Sequence, residues 1–439
     1  MQTNLEALRA LIEPDRVHRA IYVEPAIFDL EMERIFGRAW VLVGHESQTP
    51  NPGDYFTTII GKQPVVMVRH TDGSIRVLYN RCGHRGAKVV GDRAGNARFF
   101  RCCYHGWTFR TDGQVLSVPL RRGYNDTNFN PQDPQFWMTP AAQVDSYRGF
   151  VFASLAPEGP DLRSFLGGVA SSLDDFVDRS PQGRIEVAGR PFRVLQRNNW
   201  KLFFENLNDA MHALVVHESS VEAARSEAAR EAARPESNGQ GSYAAELIPT
   251  LDKNGIPYAA WEKLETTAFE WGHSFLGGFF NPESYERSYV EAMEKAHGTE
   301  RMREILSVNR HNTIIYPSCS TQSAYQQLRV IRPLAVDRTM VEIYNFRLAG
   351  APPDTYRRTM IFTNLTNSPS SIVMPDDLEA YHRVQEGLGS NGSDWISLHR
   401  DYGRDSAHAG SVTANATSEL PMRNQTRVWL KYMTGEAPA

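Results

Sequence analysis

Two short motifs, each pairing one cysteine with one histidine, constrain this chain more than any other feature of its sequence. The first is C-G-H at residues 82–84, and after seventeen intervening residues the second follows, C-C-Y-H at 102–105. A Rieske [2Fe–2S] centre uses two cysteines on one iron and two histidines on the other. The spacing therefore predicts a chain that carries single electrons on a cluster held by Cys82, His84, Cys102 and His105.

A zinc site is the alternative, because zinc also binds thiolates and imidazoles. Structural zinc motifs usually place like ligands next to each other, whereas each half of this pattern carries one cysteine and one histidine. The mixed halves favour the iron–sulfur cluster. Cys103 falls outside the C-x-x-H spacing and is predicted to be a buried bystander.

A second group of candidate metal ligands lies in residues 198–220, NNWKLFFENLNDAMHALVVHESS. A helix predicted over 199–216 places three polar side chains on one face, namely Glu205, Asp209 and His212. His217, five residues after His212, is rotated by about 140° on a straight helix. Both imidazoles can therefore reach one metal only if the helix ends or kinks between Ala213 and Val216.

Two histidines and one carboxylate form the facial triad of non-haem Fe(II) oxygenases, which leaves positions open for O2. A carboxylate from elsewhere in the chain must complete such a triad. Asp376 and Asp377 are candidates, although taken alone they also fit the start of a helix after Pro375.

Taken together, the motifs resemble the large (α) subunit of the aromatic-ring-hydroxylating oxygenases. The resemblance rests on NRCGHRGAKVV and RCCYHGWTFRTDGQV around the cluster, on N-W-K and E-N-x-x-D-x-x-H at 199–212, and on SSIVMPDDLEAYHRVQEG near the C-terminus. It implies a mononuclear Fe(II) held by His212, His217 and Asp377, with Asp376 as the fallback. It also implies that Asp209 connects a cluster histidine to an iron-ligating histidine across a subunit boundary.

Periodicity predicts an α+β chain. Residues 1–37 read as helical, and 38–155 read as an antiparallel β domain that carries the cluster motifs, with strand-like runs such as PVVMVRH, IRVLYN, ARFFRC and GFVFASL. Residues 156–439 mix strand-like runs with helices at 199–216, 376–387 and the tail TRVWLKYM. The resemblance implies a helix-grip-like catalytic domain with an antiparallel sheet, on which the N-terminal segment packs.

The resemblance implies a terminal oxygenase component that uses O2 to hydroxylate or dihydroxylate an aromatic ring. The stretch SVPLRRGY resembles the salicylate, benzoate and terephthalate branch, which points to an aromatic carboxylate. Arg329 and Arg332 are candidates for a bidentate pair with it, and structural ion pairs are the equal alternative. The expected pocket comprises Asn206, Leu207, Met211, Leu214 and Val215. A Rieske monooxygenase that hydroxylates once or demethylates, and a plain electron carrier, remain as rival functions.

No nicotinamide or flavin motif is convincing, so NAD(P)H is expected to act through a separate reductase, with or without a ferredoxin. The G-x-G-x-x-G at 387–392 follows a helical run and is expected to end that helix. The resemblance implies a homotrimer or an α3β3 hexamer with a small β subunit.

A net charge of −4 does not indicate nucleic-acid binding, and no apolar run is long enough to span a membrane. Only four cysteines and no targeting pattern indicate a reducing, cytoplasmic setting.

Residues 221–242 stand apart, with an Ala/Glu/Arg-rich run that leads into a Pro/Ser/Asn/Gly tract. A cover over the active-site mouth and an exposed insertion without function are equally compatible with this pattern.

Overall fold

The computed structural model of the chain describes residues 5–232, 243–279 and 284–436. The helices are α1 (Leu5–Arg9), α2 (Ala20–Val23), α3 (Pro25–Arg34), α4 (Leu162–Leu166), α5 (Ala170–Asp178), α6 (Trp200–Leu207), α7 (Ala213–Val216), α8 (Glu218–Ala232), α9 (Tyr243–Asp252), α10 (Tyr258–Trp261), α11 (Arg287–His297), α12 (Thr299–Ser307), α13 (Pro353–Thr366), α14 (Met374–Leu388) and α15 (Leu420–Thr434). Short 3-10 helices include Arg121–Tyr124, Lys253–Gly255 and Ser323–Tyr325.

The strands are β1 (Ile12–Glu13), β2 (Arg16–His18), β3 (Val41–His45), β4 (Asp54–Ile60), β5 (Gln63–Arg69), β6 (Ile75–Tyr79), β7 (Ala94–Asn96), β8 (Phe99–Arg101), β9 (Thr108–Arg110), β10 (Val115–Ser117), β11 (Gln143–Tyr147), β12 (Phe150–Ser154), β13 (Ile185–Val187), β14 (Phe192–Gln196), β15 (Glu265–Phe269), β16 (Ser274–Gly277), β17 (Arg310–Ile315), β18 (Cys319–Gln322), β19 (Gln327–Ala335), β20 (Arg338–Leu348), β21 (Trp395–Ser397), β22 (Ser406–His408) and β23 (Ser411–Asn415). Every pairing between them is antiparallel.

Residues Glu31–Ser164 form a smaller compact unit built from short antiparallel sheets. One sheet has the order β6-β5-β4-β7, a second β10-β9-β8 and a third β11-β12-β3. The apolar runs predicted as strands become β5, β6, β8 and β12, which confirms those predictions. They form strands because β-branched and aromatic side chains pack well on a half-buried pleated surface. The core that they bury includes Val66, Leu78, Phe109 and Met138, together with both motif cysteines, Cys82 and Cys102.

The described residues before and after that segment form a larger unit around one ten-stranded sheet. Its path runs β13-β20-β19-β18-β17-β16-β15-β23-β22, and β14 also pairs with β20. Helix α6 contacts β17 and β19, so the segment that carries the candidate iron ligands lies on this sheet. The predicted helices at 376–387 and in the C-terminal tail are confirmed as α14 and α15. The α+β fold class is confirmed as well.

The N-terminal segment is less helical than its periodicity predicts. The hairpin β1–β2 separates α1 from α2, and β2 pairs with β21 so that Val17 faces Ile396. Because β21 lies far away in the sequence, no local pattern could reveal its pairing with β2. The predicted domain limits at 37/38 and 155/156 stay a prediction.

Within the described residues, no helix is both long and apolar enough to cross a membrane.

Candidate functional site

Two turns of the smaller unit carry the paired cysteine–histidine motifs, and both are built alike. In the first, the amide of Gly86 donates to the carbonyl of Cys82 (3.0 Å); in the second, the amide of Gly106 donates to the carbonyl of Cys102 (3.1 Å). Each cysteine amide also donates to the carbonyl five residues further on, at 2.8 Å in both turns. The φ angles of Gly86 and Gly106 are 76° and 71°, in the left-handed region that favours glycine.

The four predicted cluster ligands lie together at these turns. The cysteines 82 and 102 are each only 2% exposed, while the half-buried rings of His84 and His105 have centroids 4.8 Å apart. Burial raises the pKa of the Cys82 thiol, and the neighbouring thiol of Cys102 adds to the effect. Two thiols and two imidazoles in paired turns are a donor set that fits a Rieske cluster. Cys103 is exposed, not buried as predicted, because the turn directs its side chain away from its neighbour.

Aromatic packing supports the first turn. The ring of Trp107 stacks on that of His84, with centroids 4.8 Å apart and planes 6° from parallel, and the tryptophan is 2% exposed. Phe129 and Phe136 contact other edges of the same indole. A Cβ atom at Gly83 would lie 2.1 Å from the carbonyl oxygen of Phe136, so this position of the motif accepts glycine alone. Trp107 therefore belongs to the core and also covers a predicted cluster ligand.

The candidate iron segment is broken into separate helices, which corrects the continuous helix predicted over 199–216. Helix α6 starts after Asn199, whose side chain accepts a hydrogen bond from the amide of Lys201 at 3.2 Å, and it ends at Leu207. Non-helical residues follow, and α7 is a single turn with His212 before it and His217 after it. The chain therefore departs from a straight helix ahead of His212 and at His217, not between Ala213 and Val216.

Because α6 ends at Leu207, Glu205 does not share a helix face with Asp209 and His212. Its carboxylate instead accepts a hydrogen bond of 2.6 Å from the hydroxyl of Tyr22. Burial raises the pKa of Glu205 to about 7.

His212, His217 and Asp377 converge. One donor atom from each lies within 4.8 Å of the other two. Oδ1 of Asp377 is 3.7 Å from Nε2 of His212 and 3.4 Å from Nε2 of His217. The aspartate comes from the first turn of α14, and the side-chain amide of Asn206 donates to the same Oδ1 at 3.3 Å. The broken helix thus brings both imidazoles to one carboxylate.

The neighbouring Asp376 takes a different place. Its Oδ2 lies 3.6 Å from Nδ1 of His217, the ring nitrogen that faces away from Asp377, and this distance is longer than a hydrogen bond. A carboxylate on the far side of a ligating imidazole orients the ring and favours its metal-binding tautomer. Of the two candidate carboxylates, Asp377 is the one that meets both Nε2 atoms.

The pKa shifts of Asp377 and His217 fit a bound cation, whereas the pKa of His212 is raised because Asp209 and Asp377 outweigh the lowering effect of burial. Burial raises the pKa of Asp377 to about 6 and lowers that of His217 to about 3. A neutral imidazole is the form that binds a metal, and a divalent ion would compensate the buried carboxylate. Two histidines and one carboxylate are the donor set of non-haem Fe(II) sites.

Asp209 lies on the outer side of His212. Its Oδ2 is 3.7 Å from Nδ1 of His212, which is longer than a hydrogen bond, and its Oδ1 accepts one of 2.7 Å from the amide of Met211. Burial alone would raise the pKa of Asp209, but the His212 side chain and the backbone amides of Met211 and His212 outweigh it and lower the pKa. The carboxylate is therefore charged and keeps about a third of its side chain exposed.

A cavity of about 160 Å³ opens beside the three converging side chains. Of the predicted pocket residues, Asn206 and Leu207 line it. Met211, Leu214 and Val215 do not, which corrects that part of the prediction. The reason is the single turn of α7, which directs Ala213 and His217 toward the cavity and leaves Val215 67% exposed on the opposite side.

The rest of the wall comes from segments that local sequence patterns did not single out, including Thr250, Lys253, Trp261, His311, Asn312, Gln322, Tyr325 and Phe362. Burial, and then the positive charges of Arg329 and Lys253, lower the pKa of His311 to about 3, so its ring is neutral. Residues 221–232 form most of α8 and do not line the cavity, while 233–242 lie outside the described residues.

The two candidate arginines have different environments, although both are on β19. Arg329 lines the cavity. Arg332 faces the other side of the strand, because residues an odd number apart point to opposite faces, and its Nε lies 3.8 Å from a carboxylate oxygen of Glu342. The structural ion pair that the sequence left open therefore applies to Arg332.

Comparison with known proteins assigns a family to residues in each of the two units. Residues 39–130 match the family described as Rieske [2Fe-2S] domain, and residues 187–435 match the ring hydroxylating alpha subunit (catalytic domain). The chain belongs to the ring-hydroxylating α-subunit family. It is 32% identical to the toluate 1,2-dioxygenase α subunit of Pseudomonas putida, over 90% of this chain and 86% of that one.

Further matches agree. The chain is 32% identical to the 2-halobenzoate 1,2-dioxygenase large subunit of Burkholderia cepacia, over 88% of this chain and 80% of the relative. A solved structure of naphthalene 1,2-dioxygenase superposes with a TM-score of 0.79 at 25% identity, covering 97% of this chain and 93% of that one.

These matches confirm the family resemblance, the oxidoreductase class and both cofactors, a Rieske cluster and a mononuclear iron. The family to which the chain belongs consists of terminal oxygenases that need O2 and a reductase and work in oligomeric assemblies.

Proposed function

We propose that this oxygenase hydroxylates a small aromatic carboxylate. The observation that carries the proposal is Arg329, a buried cation that lines the same cavity as the three converging iron-site residues. The relatives include toluate and 2-halobenzoate dioxygenases, but also a naphthalene dioxygenase, so overall similarity alone does not choose between an acid and a hydrocarbon.

Neutral side chains hold Arg329 in place. Its Nε donates to Oε1 of Gln327 (2.7 Å), and its Nη2 donates to Oδ1 of Asn312 (3.0 Å) and Oε1 of Gln322 (2.9 Å). No described carboxylate lies within ion-pair distance of it. Burial lowers the pKa of Arg329 to about 10, so the guanidinium is still charged at neutral pH.

A buried charge without a counter-charge is costly, and an anionic ligand in the cavity would offset that cost. The remaining nitrogen, Nη1, makes no hydrogen bond to a described residue. The bidentate pair through Nε and Nη2 is therefore not available to a substrate carboxylate, because both nitrogens already donate to neutral side chains. We infer that a substrate carboxylate accepts hydrogen bonds from Nη1, while Asn312, Gln322 and Gln327 hold the guanidinium plane still.

We also propose the residue roles. Cys82, His84, Cys102 and His105 hold the cluster, and His212, His217 and Asp377 hold the iron. When bound, the cluster supplies single electrons and the iron supplies the site of O2 activation. Asn206 orients Asp377, and Asp376 orients the His217 ring from its far nitrogen.

Asp209 is proposed to link His212 to a cluster histidine of a neighbouring subunit. Its charged, partly exposed carboxylate supports this role, because it can still accept a hydrogen bond from outside the subunit. Such a link requires an oligomer, and the proposal is a homotrimer or an α3β3 hexamer, reduced by a reductase with or without a ferredoxin. None of the four cysteines forms a disulfide, and two of them are the proposed cluster ligands, which supports the expected reducing, cytoplasmic setting.

A matched substrate panel tests the proposal. Turnover of benzoate, 3-toluate and 2-chlorobenzoate would be compared with that of benzamide, toluene and naphthalene, using the purified oxygenase and a compatible reductase. We expect the acids to be turned over and the neutral compounds to be poor substrates. Turnover of naphthalene or toluene with none of the acids would refute an aromatic carboxylate as the substrate.

Product analysis in the same assay separates the two oxygenase alternatives. A cis-dihydrodiol that contains both atoms of one O2 identifies a dioxygenase. A single new hydroxyl, or a demethylated product, identifies a monooxygenase.

A further inference from the structure

Each cluster turn is preceded by an arginine whose guanidinium lies on the turn. Arg81 comes directly before Cys82, and Arg101 comes directly before Cys102. The Nε of Arg81 lies 3.3 Å from the position that a Cβ of Gly86 would take, and Nη2 of Arg101 lies 3.4 Å from the corresponding position at Gly106. The two turns therefore carry one guanidinium each, in equivalent places.

These charges are not neutralised nearby. Both side chains are exposed, and neither forms an ion pair with a described carboxylate. Residues 81–122 contain nine arginines and lysines but only two aspartates, while the whole chain carries a net charge of −4. The cluster turns are therefore a positive region on an acidic protein.

We propose that Arg81 and Arg101 raise the reduction potential of the cluster by stabilising its reduced, more negative form. This inference rests on the ligand roles proposed above. Reduction adds one electron at the cluster, and a fixed positive charge beside each turn lowers the free energy of the reduced state. Since arginine stays charged at all physiological pH values, the effect does not depend on a proton.

The test is an EPR-monitored redox titration of the purified, cluster-loaded protein. The variants are Arg81→Gln, Arg101→Gln and the double variant, each paired with an Arg→Lys variant that keeps the charge but not the planar group. Arg76→Gln is the matched control, because it removes the same charge from the same unit, but its guanidinium is already paired with Asp72 at 3.4 Å.

We expect each glutamine variant to lower the reduced-to-oxidised ratio at a fixed ambient potential by about threefold to tenfold, where tenfold corresponds to about 59 mV for one electron. The double variant should show the product of the two factors. The lysine variants and Arg76→Gln should stay within about twofold of the wild type. Raising the ionic strength to about 1 M should shrink the difference between wild type and double variant, because salt screens exposed charges.

Other outcomes would overturn the inference. Lysine variants that shift like the glutamine variants would mean that the guanidinium supports the turn by its shape. An unchanged potential with weaker reduction by the reductase would make the arginines a docking surface for the electron donor. If the glutamine variants fail to assemble the cluster, the wild-type potential at low and at about 1 M ionic strength decides: the inference expects a lower potential at high salt, and an unchanged potential would contradict it. Absence of a Rieske signal in the wild type would instead refute the ligand assignment.

Discussion

Replacing Arg329 with glutamine should separate substrates by their charge. The side chain lies on β19 at the wall of the cavity, 4% exposed, and glutamine keeps a polar group there without the positive charge. If Arg329 binds a carboxylate, the variant loses catalysis on an aromatic acid and keeps catalysis on the matching amide. Benzoate and benzamide are the matched pair, since they differ little in shape.

The size of the effect follows from the donors that remain available. A guanidinium has five N–H donors, and three are used by Gln327, Asn312 and Gln322, which leaves the two on Nη1. Hydrogen bonds to charged groups contribute about 1.5–3 kcal/mol each. One bond of about 2 kcal/mol corresponds to ~30-fold in kcat/KM, and two bonds at the lower limit, about 3 kcal/mol, correspond to ~150-fold.

The assay is product formation coupled to O2 uptake, with kcat/KM measured for both compounds and iron content determined in parallel. We expect kcat/KM for benzoate to fall about 30- to 150-fold, while that for benzamide changes less than about threefold. Arg332→Gln is the control, because Arg332 is buried on the same strand but faces away from the cavity toward Glu342. It should lower stability without changing the benzoate-to-benzamide ratio. Equal losses for both compounds in Arg329→Gln, or the same selective loss in Arg332→Gln, would refute the assignment.

Three further predictions concern the iron site and pH. His212→Ala should lose about one of ~three irons per chain and all turnover while the Rieske EPR signal of the dithionite-reduced protein persists; loss of both centres, or of neither, would contradict the assignment. Asp209→Asn should retain both centres but slow single-turnover electron transfer at least about tenfold, and a normal rate would remove Asp209 from the proposed link. Burial lowers the pKa of His273 to about 4, below the ordinary 6.5, so its contribution to stability is complete above pH 6.5 and falls as the pH drops toward 4. The wild type should therefore lose about 2 kcal/mol by pH 5 from this residue, and His273→Gln, followed by urea unfolding from pH 5 to 7.5, should show a shallower slope; an unchanged slope would exclude this residue as the cause.

Local patterns were sufficient for the cluster turns and for most strands. Within each pair, the thiol and the imidazole lie a few residues apart, so a single turn fixes their spacing. Glycines at 86 and 106 supply the backbone conformation that each turn needs. The strands of the smaller unit follow from apolar runs of strand length between Gly and Asp turns.

The helix over 199–216 was mispredicted for a physical reason that the sequence does contain. Apolar residues continue at helical spacing past 207, but the side chain of Asp209 competes with the helical backbone, while that of Asn208 forms a hydrogen bond with the Ser274 hydroxyl. The carboxylate of Asp209 accepts the hydrogen bond of the Met211 amide, two residues on, and this local turn replaces the next helical turn. The aspartate in this helical run therefore predicts a break here better than apolar periodicity predicts continuity.

The residues of the cavity wall could not be predicted from local sequence patterns. Asn312, Gln322 and Arg329 come from the adjacent strands β17, β18 and β19, and only their pairing brings the three polar side chains to one face. The same holds for Asp377, which the family resemblance identified but no spacing rule could connect to His212.

The single turn of α7 makes the iron site sensitive to the number of residues between the two histidines more than to which residues they are. Four residues separate His212 from His217, and each residue of a helix advances the chain by about 1.5 Å and turns it by about 100°. Substitutions within Ala213–Val216 leave the angle between the two imidazoles in place, while inserting or deleting one residue would swing one ring away from Asp377. Substitutions at the exposed Val215 should therefore be tolerated, and changes in the number of residues in this turn should not.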